Sequence, residues 1–97
     1  MNHEDPASGV TQQDLEGDLV LPGDPLFGVV WINPARMSGA PCFFGTRVPV
    51  KHLFDYLRAG RTIDYFLDGF PGVTSEQVRT VLDLADKRLV GSLGAAA

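Results

Sequence analysis

The stretch Thr74-Ser75-Glu76-Gln77-Val78-Arg79-Thr80 concentrates the side chains best equipped for recognition chemistry. A guanidinium such as that of Arg79 offers paired N–H donors that match two acceptors on a guanine edge. Thr80 brings a methyl and a hydroxyl, which suit a thymine methyl or a phosphate. Ser75 and Glu76 flank them on the same stretch. Arg47, Arg58 and Arg61 lie upstream and are candidates for phosphate contacts, which position a protein on a duplex without reading its sequence. Glu76 argues the other way, because its carboxylate repels a phosphate backbone. The same residues therefore also suit a helical module that binds a protein partner and no DNA.

Covalent and metal chemistry find little footing. Cys42 stands between Pro41 and Phe43 with no histidine near it in sequence, and it reads as a packed core thiol rather than a nucleophile. A lone cysteine, with His3 and His52 far apart, matches no zinc spacing. Asp64 and Asp68 are one helical turn apart, the usual arrangement of a solvated helix face. Arg36 with Arg47 is a candidate anion site, against the commoner fate of a surface arginine, which is to stay solvated. No glycine-rich phosphate loop occurs. The expectation is a binding protein without catalytic residues, metal or cofactor.

Three helices must carry these side chains. The first opens at Pro49, places Val50, Leu53, Phe54 and Leu57 on one face, and ends at Gly60. The second begins with Thr62 as N-cap and buries Ile63, Phe66 and Leu67 before Gly69 and Pro71 stop it. The third has Thr74 as N-cap and Gln77 at N3, a capping box, with Val73 and Val78 placed for a hydrophobic staple. Its apolar face reads Val78, Val81, Leu82, Ala85 and Leu89. Two N-capped helices joined by Gly69-Phe70-Pro71-Gly72-Val73 form a helix-turn-helix pattern, whose later helix enters the major groove. Ahead of the helices, Phe27 to Ile32 reads as a strand ended by Asn33-Pro34, and Cys42 to Phe44 as a short second strand. The expected fold is mainly α: a three-helix helix-turn-helix core preceded by a short β-hairpin or strand.

The chain has 97 residues, enough for one modest core. Its net charge of -4 hides an asymmetry: residues 1–35 carry six acidic and no basic residues, while all eight basic residues follow. The division expected is a flexible acidic tail over 1–26, the helix-turn-helix domain over 27–90, and a disordered C-terminus over 91–97. Within the tail, Leu19-Val20-Leu21 is an apolar patch that could instead be a short strand or a partner-binding segment. The absence of a signal-peptide pattern and of any membrane-length apolar run points to the cytoplasm and to no membrane partner. A domain this small gains from association. A homodimer paired through Val29, Val30, Trp31 and Ile32 would cover the exposed edge of the first strand.

The matches Asn33-Pro34, Met37, Gly39, Pro41, Gly45-Thr46-Arg47, Pro49-Val50, Gly60, Pro71 and Val78 resemble the domain of unknown function 433 family, predicted VapB-like antitoxins. The resemblance spans roughly residues 30 to 88. Its one departure is Ser38, where the family often has glycine, so a stiffer loop is expected. The resemblance implies a homeodomain-like or winged-helix-like helix-turn-helix fold, usually dimeric, and a type II antitoxin that neutralises a PIN-like ribonuclease toxin and binds operator DNA to repress its own operon. A PIN-type nuclease holds magnesium with carboxylates, and a basic side chain entering that cluster would compete with the metal. Arg36, Arg47, Lys87 and Arg88 are the candidates for this toxin contact.

Overall fold

The computed structural model describes residues 10–91. Two short strands, β1 (Val30–Trp31) and β2 (Cys42–Phe43), form an antiparallel pair in the register Val30↔Phe43 and Trp31↔Cys42. Three helices follow: α1 (Val50–Arg58), α2 (Ile63–Gly69) and α3 (Ser75–Asp86). The mainly helical architecture with a hairpin is as the sequence predicts. The strands are shorter than the Phe27–Ile32 and Cys42–Phe44 runs suggest, because backbone turns consume the flanking residues.

Between the strands the chain makes a tight reversal. The Asn33 side chain caps it by accepting from the Ala35 N–H at 2.9 Å. Three consecutive residues, Met37, Ser38 and Gly39, then have φ of 51°, 57° and 85°. Left-handed backbone costs an L-residue its Cβ clearance, and glycine escapes that cost. Met37 and Ser38 both bear that cost, which a glycine at position 38 would relieve.

β2 pairs with β1 on one side and makes an isolated bridge, Cys42 to Pro49, on the other. Its other side meets the approach to α1, where the Phe43 N–H donates to the Val48 carbonyl (3.0 Å) and the Val50 N–H to the Pro41 carbonyl (2.8 Å). The outer edge of β1 is occupied by its own chain. The Val30 N–H donates to the Leu26 carbonyl (3.0 Å), and the Leu19 N–H to the Ile32 carbonyl (2.8 Å). Val30 and Trp31 are also buried. The expected dimer edge at Val29, Val30, Trp31 and Ile32 is therefore corrected: intrachain hydrogen bonds and packing already use it.

Two apolar clusters form. The larger joins Val30, Phe43, Leu53, Phe66, Val73, Val78 and Val81, so sheet and helices share one core. Phe66 is its hub, with ring centroids 5.9 Å from Phe43, 5.3 Å from Tyr56 and 5.0 Å from Phe70. The smaller cluster is Trp31, Cys42 and Phe44, covered by Val10, Leu15 and Phe27. Part of the expected tail therefore packs on the fold: Asp18 and Val20 are also buried, while Leu19 and Leu21 are exposed. Residues 1–9, and the C-terminal expectation from residue 92 on, lie outside the described residues.

Helix boundaries follow the caps. Gly60, with φ of 85°, ends α1 and donates its N–H to the Leu57 carbonyl. Thr62 Oγ1 accepts from the Tyr65 N–H at 3.0 Å. Val73 and Val78 are both buried in the main core, consistent with the staple. The apolar face of α3 is buried only in its first half. Val78 and Val81 are covered and Leu82 partly so, whereas Ala85 and Leu89, expected on the same apolar face, are exposed. The helix outruns the core and widens into a π-type turn at Lys87–Gly91.

Candidate nucleic-acid interface

The N-terminal turn of α3 is fastened at several points. Thr74 Oγ1 accepts from the Gln77 N–H (3.1 Å), and Gln77 Oε1 accepts from the Thr74 N–H (3.0 Å). The other end of the same amide reaches into the sheet layer, where Gln77 Nε2 donates to the carbonyls of Phe44 (3.1 Å) and Gly28 (3.3 Å). Gln77 is only 3% exposed, and its bond to the Phe44 carbonyl is buried while the other three are part-buried. They orient α3 with Val78 and Val81 inward and leave Ser75, Glu76 and Arg79 exposed, with Thr80 half-buried.

The Gly45-Thr46-Arg47 turn lies beside this helix start. Thr46 Oγ1 donates to the Phe43 carbonyl (2.8 Å) and accepts from the Val48 N–H (3.0 Å). The Trp31 indole N–H donates to the Thr46 carbonyl at 2.7 Å. Gly72 in the α2–α3 turn approaches so closely that a Cβ there would come within 3.3 Å of Thr46 Cγ2. Arg47, next in the chain to Thr46, is exposed.

The remaining arginines are placed differently. Arg58 is exposed at the end of α1 and pairs with Asp55 at 2.8 Å, while Lys51 holds the same carboxylate at 2.9 Å. The Lys51 hydrogen bond is the main reason that the Asp55 carboxyl lies below its ordinary range, with Arg58 adding to it. Arg61 lies over the Tyr65 ring, 4.9 Å from its centroid, beside a shallow groove also lined by Tyr56 and Ala59. No ion pair or side-chain hydrogen bond ties Arg58 or Arg61 to α3 among the described residues. Lys87 and Arg88 are exposed on the widened turn beyond α3.

Arg36 departs most from expectation. It is 9% exposed, ion-paired to Asp18 at 2.9 Å, and its guanidinium carbon stacks 3.6 Å from the Trp31 ring centroid. As a ready surface contact for a toxin, or as an anion site with Arg47, it is corrected: its charge is used inside the fold. Cys42 is fully buried, as a core thiol should be. Burial pushes its pKa up, and the nearby guanidinium charges of Arg36 and Arg47 only partly counter that.

Sequence reasoning missed Asp18 altogether and saw only half of Gln77. The capping role of Gln77 is local and carries a spacing signal. Its bonds to Gly28 and Phe44 span 49 and 33 residues, for which sequence offers no period. Among the described residues, no group of three His, Cys, Asp or Glu side chains could hold a metal, and no helix is long and apolar enough to cross a membrane.

No curated protein and no solved structure matches this chain in the searches made. Residues 30–85 match the family described as "Protein of unknown function (DUF433)", and the chain belongs to that family.

Proposed function

We propose that this protein is an antitoxin-type regulator, with a helix-turn-helix formed by α2 and α3 that binds operator DNA and a second surface that neutralises a PIN-like ribonuclease. The observation that supports the DNA reading best is the exposure of Arg79 on the half of α3 whose opposite face is locked into the core. A guanine-reading arginine needs a rigid base, and the Thr74–Gln77 box with the Gln77 anchor supplies it. Arg47, which is exposed, contributes a phosphate contact, with Ser75 adding a hydroxyl. Glu76 lowers non-specific affinity on the same surface, so binding depends on the base contact more than on charge. Lys87 and Arg88, with Arg47, are the basic side chains open to an acidic metal cluster.

The test is duplex selection with the purified full chain at low salt, followed by variants. Arg79→Ala should weaken the selected site by about 1–3 kcal/mol and relax its sequence preference. Arg47→Ala should weaken all duplexes alike and lower the salt slope by about one. If no duplex is retained at low salt, the DNA reading is wrong, and a module that binds only protein takes its place. For the nuclease arm, Arg47→Glu, Lys87→Glu and Arg88→Glu variants are mixed with a PIN-like nuclease from the same operon. If all three still inhibit it, basic entry into the metal cluster is excluded.

A further inference from the structure

The contacts that seat residues 10–20 amount to a recognition event. Asp18 Oδ1 accepts from Arg36 Nη2 (2.9 Å) and from Asn33 Nδ2 (3.0 Å). The same two donors also bind main-chain carbonyls of the segment, Arg36 Nη2 that of Asp14 (2.8 Å) and Asn33 Nδ2 that of Glu16 (2.8 Å). The Leu19 N–H adds a strand-like bond to Ile32 (2.8 Å), and Val10 and Leu15 cover Trp31, Cys42 and Phe44. One carboxylate, adjacent backbone and aliphatic side chains are thus read together: residues 11–18 wind through turns around the short helix Gln13–Leu15, and the Leu19 N–H then meets the edge of the sheet.

Two further observations bear on what this surface is for. The receiving residues, Trp31, Asn33 and Arg36, lie within the family match at 30–85, whereas the whole seated segment lies outside it. The contact also carries a cost. Asp18 and Arg36 are both more than nine-tenths covered, and the desolvation of two charges is only partly offset by their ion pair.

We infer that Trp31, Asn33 and Arg36 form a docking site for an acidic peptide segment, that residues 10–20 are its tethered occupant, and that a partner segment of the same chemistry binds by displacing them. The recognised pattern is an aspartate followed by alternating inward and outward aliphatic residues, as in Asp18-Leu19-Val20-Leu21. This inference stands apart from the DNA reading, because it uses neither α3 nor Arg79.

The probe is a fluorescein-labelled peptide of residues 11–21, added to the full chain and followed by anisotropy. The tethered segment competes in wild type, so the Asp18→Ala chain should bind the peptide about tenfold more tightly or better. Binding should vanish for the same peptide carrying Asp18→Asn, and for an Asp18→Ala/Arg36→Gln chain. Absence of binding to a folded Asp18→Ala chain, or binding that survives loss of Arg36, overturns the site. Should Asp18→Ala fail to fold, Cys42 alkylation in wild type decides. Displacement of the segment uncovers that thiol locally, so its labelling below the unfolding transition should be nearly independent of denaturant. A labelling rate that follows the global unfolding curve instead would sink the proposal.

Discussion

Position 38 shows what one side chain decides. Its φ of 57° belongs to glycine's range, yet serine occupies it between Met37 and Gly39 in the same region. Ser38→Gly removes a Cβ clash worth about 1 kcal/mol, in part offset by the greater freedom of glycine in the unfolded chain. A stabilisation near that size raises the Tm of so small a domain by about 4 °C. Ser38→Val should move it the other way, and thermal melts of the two variants check both signs. Cys42 gives a second residue-scale expectation. Its folded pKa lies above the ordinary 9.0 because burial favours the neutral thiol. The folded state therefore holds this proton more tightly than the unfolded state does. The contribution is complete below pH 9 and is lost as pH rises through the folded value. Urea midpoints of wild type should fall across that alkaline window, and those of Cys42→Ala should fall less; parallel curves would remove the thiol from the account.

At the scale of elements, the orientation of α3 depends on Gln77. The capping box fixes where the helix starts, and the Nε2 bonds to Gly28 and Phe44 fix which way it lies on the sheet. Gln77→Glu keeps the shape, loses both donors and buries a carboxylate facing two carbonyls. The loss in stability should be about 3 kcal/mol, measured by urea denaturation, well above the roughly 1 kcal/mol typical of an N-cap alone. A comparable Thr74→Ala variant separates the two contributions. β1 is governed by similar accounting. Its outward Val30 N–H and Ile32 carbonyl are already bonded to Leu26 and Leu19, so the strand of a second copy would have to displace these bonds to pair there.

For the whole molecule, the two apolar clusters set two levels of stability. The main core binds sheet and helices through Phe43, Leu53, Phe66 and Val78. The smaller cluster is closed by the segment around Asp18. Regions with fewer buried contacts open without global unfolding. The Leu19 amide should accordingly exchange with solvent much faster than helix-interior amides at Leu57 and Val81. Hydrogen exchange followed by NMR would show this, and equal protection at all three would mean that the molecule opens only as one unit.

The sequence determined the helices and their limits almost unaided. Proline at 49, threonines at 62 and 74, and glycine at 60 act within one turn of themselves, and apolar spacing repeats over a few residues. Those are short-range forces, so a linear reading captures them. It also identified Arg79 as a side chain free to act, because the face opposite the apolar stripe of a helix must meet water. Tertiary structure alone decided the rest. It paired Asp18 with Arg36 across 18 residues, seated part of a presumed acidic tail on the fold, and occupied the edge that was to join two copies. It also drew Gln77 into the sheet layer. Buried hydrogen bonds and ion pairs between distant residues leave no periodic trace in sequence; which charge is sealed inside and which faces solvent is set by the three-dimensional packing around it.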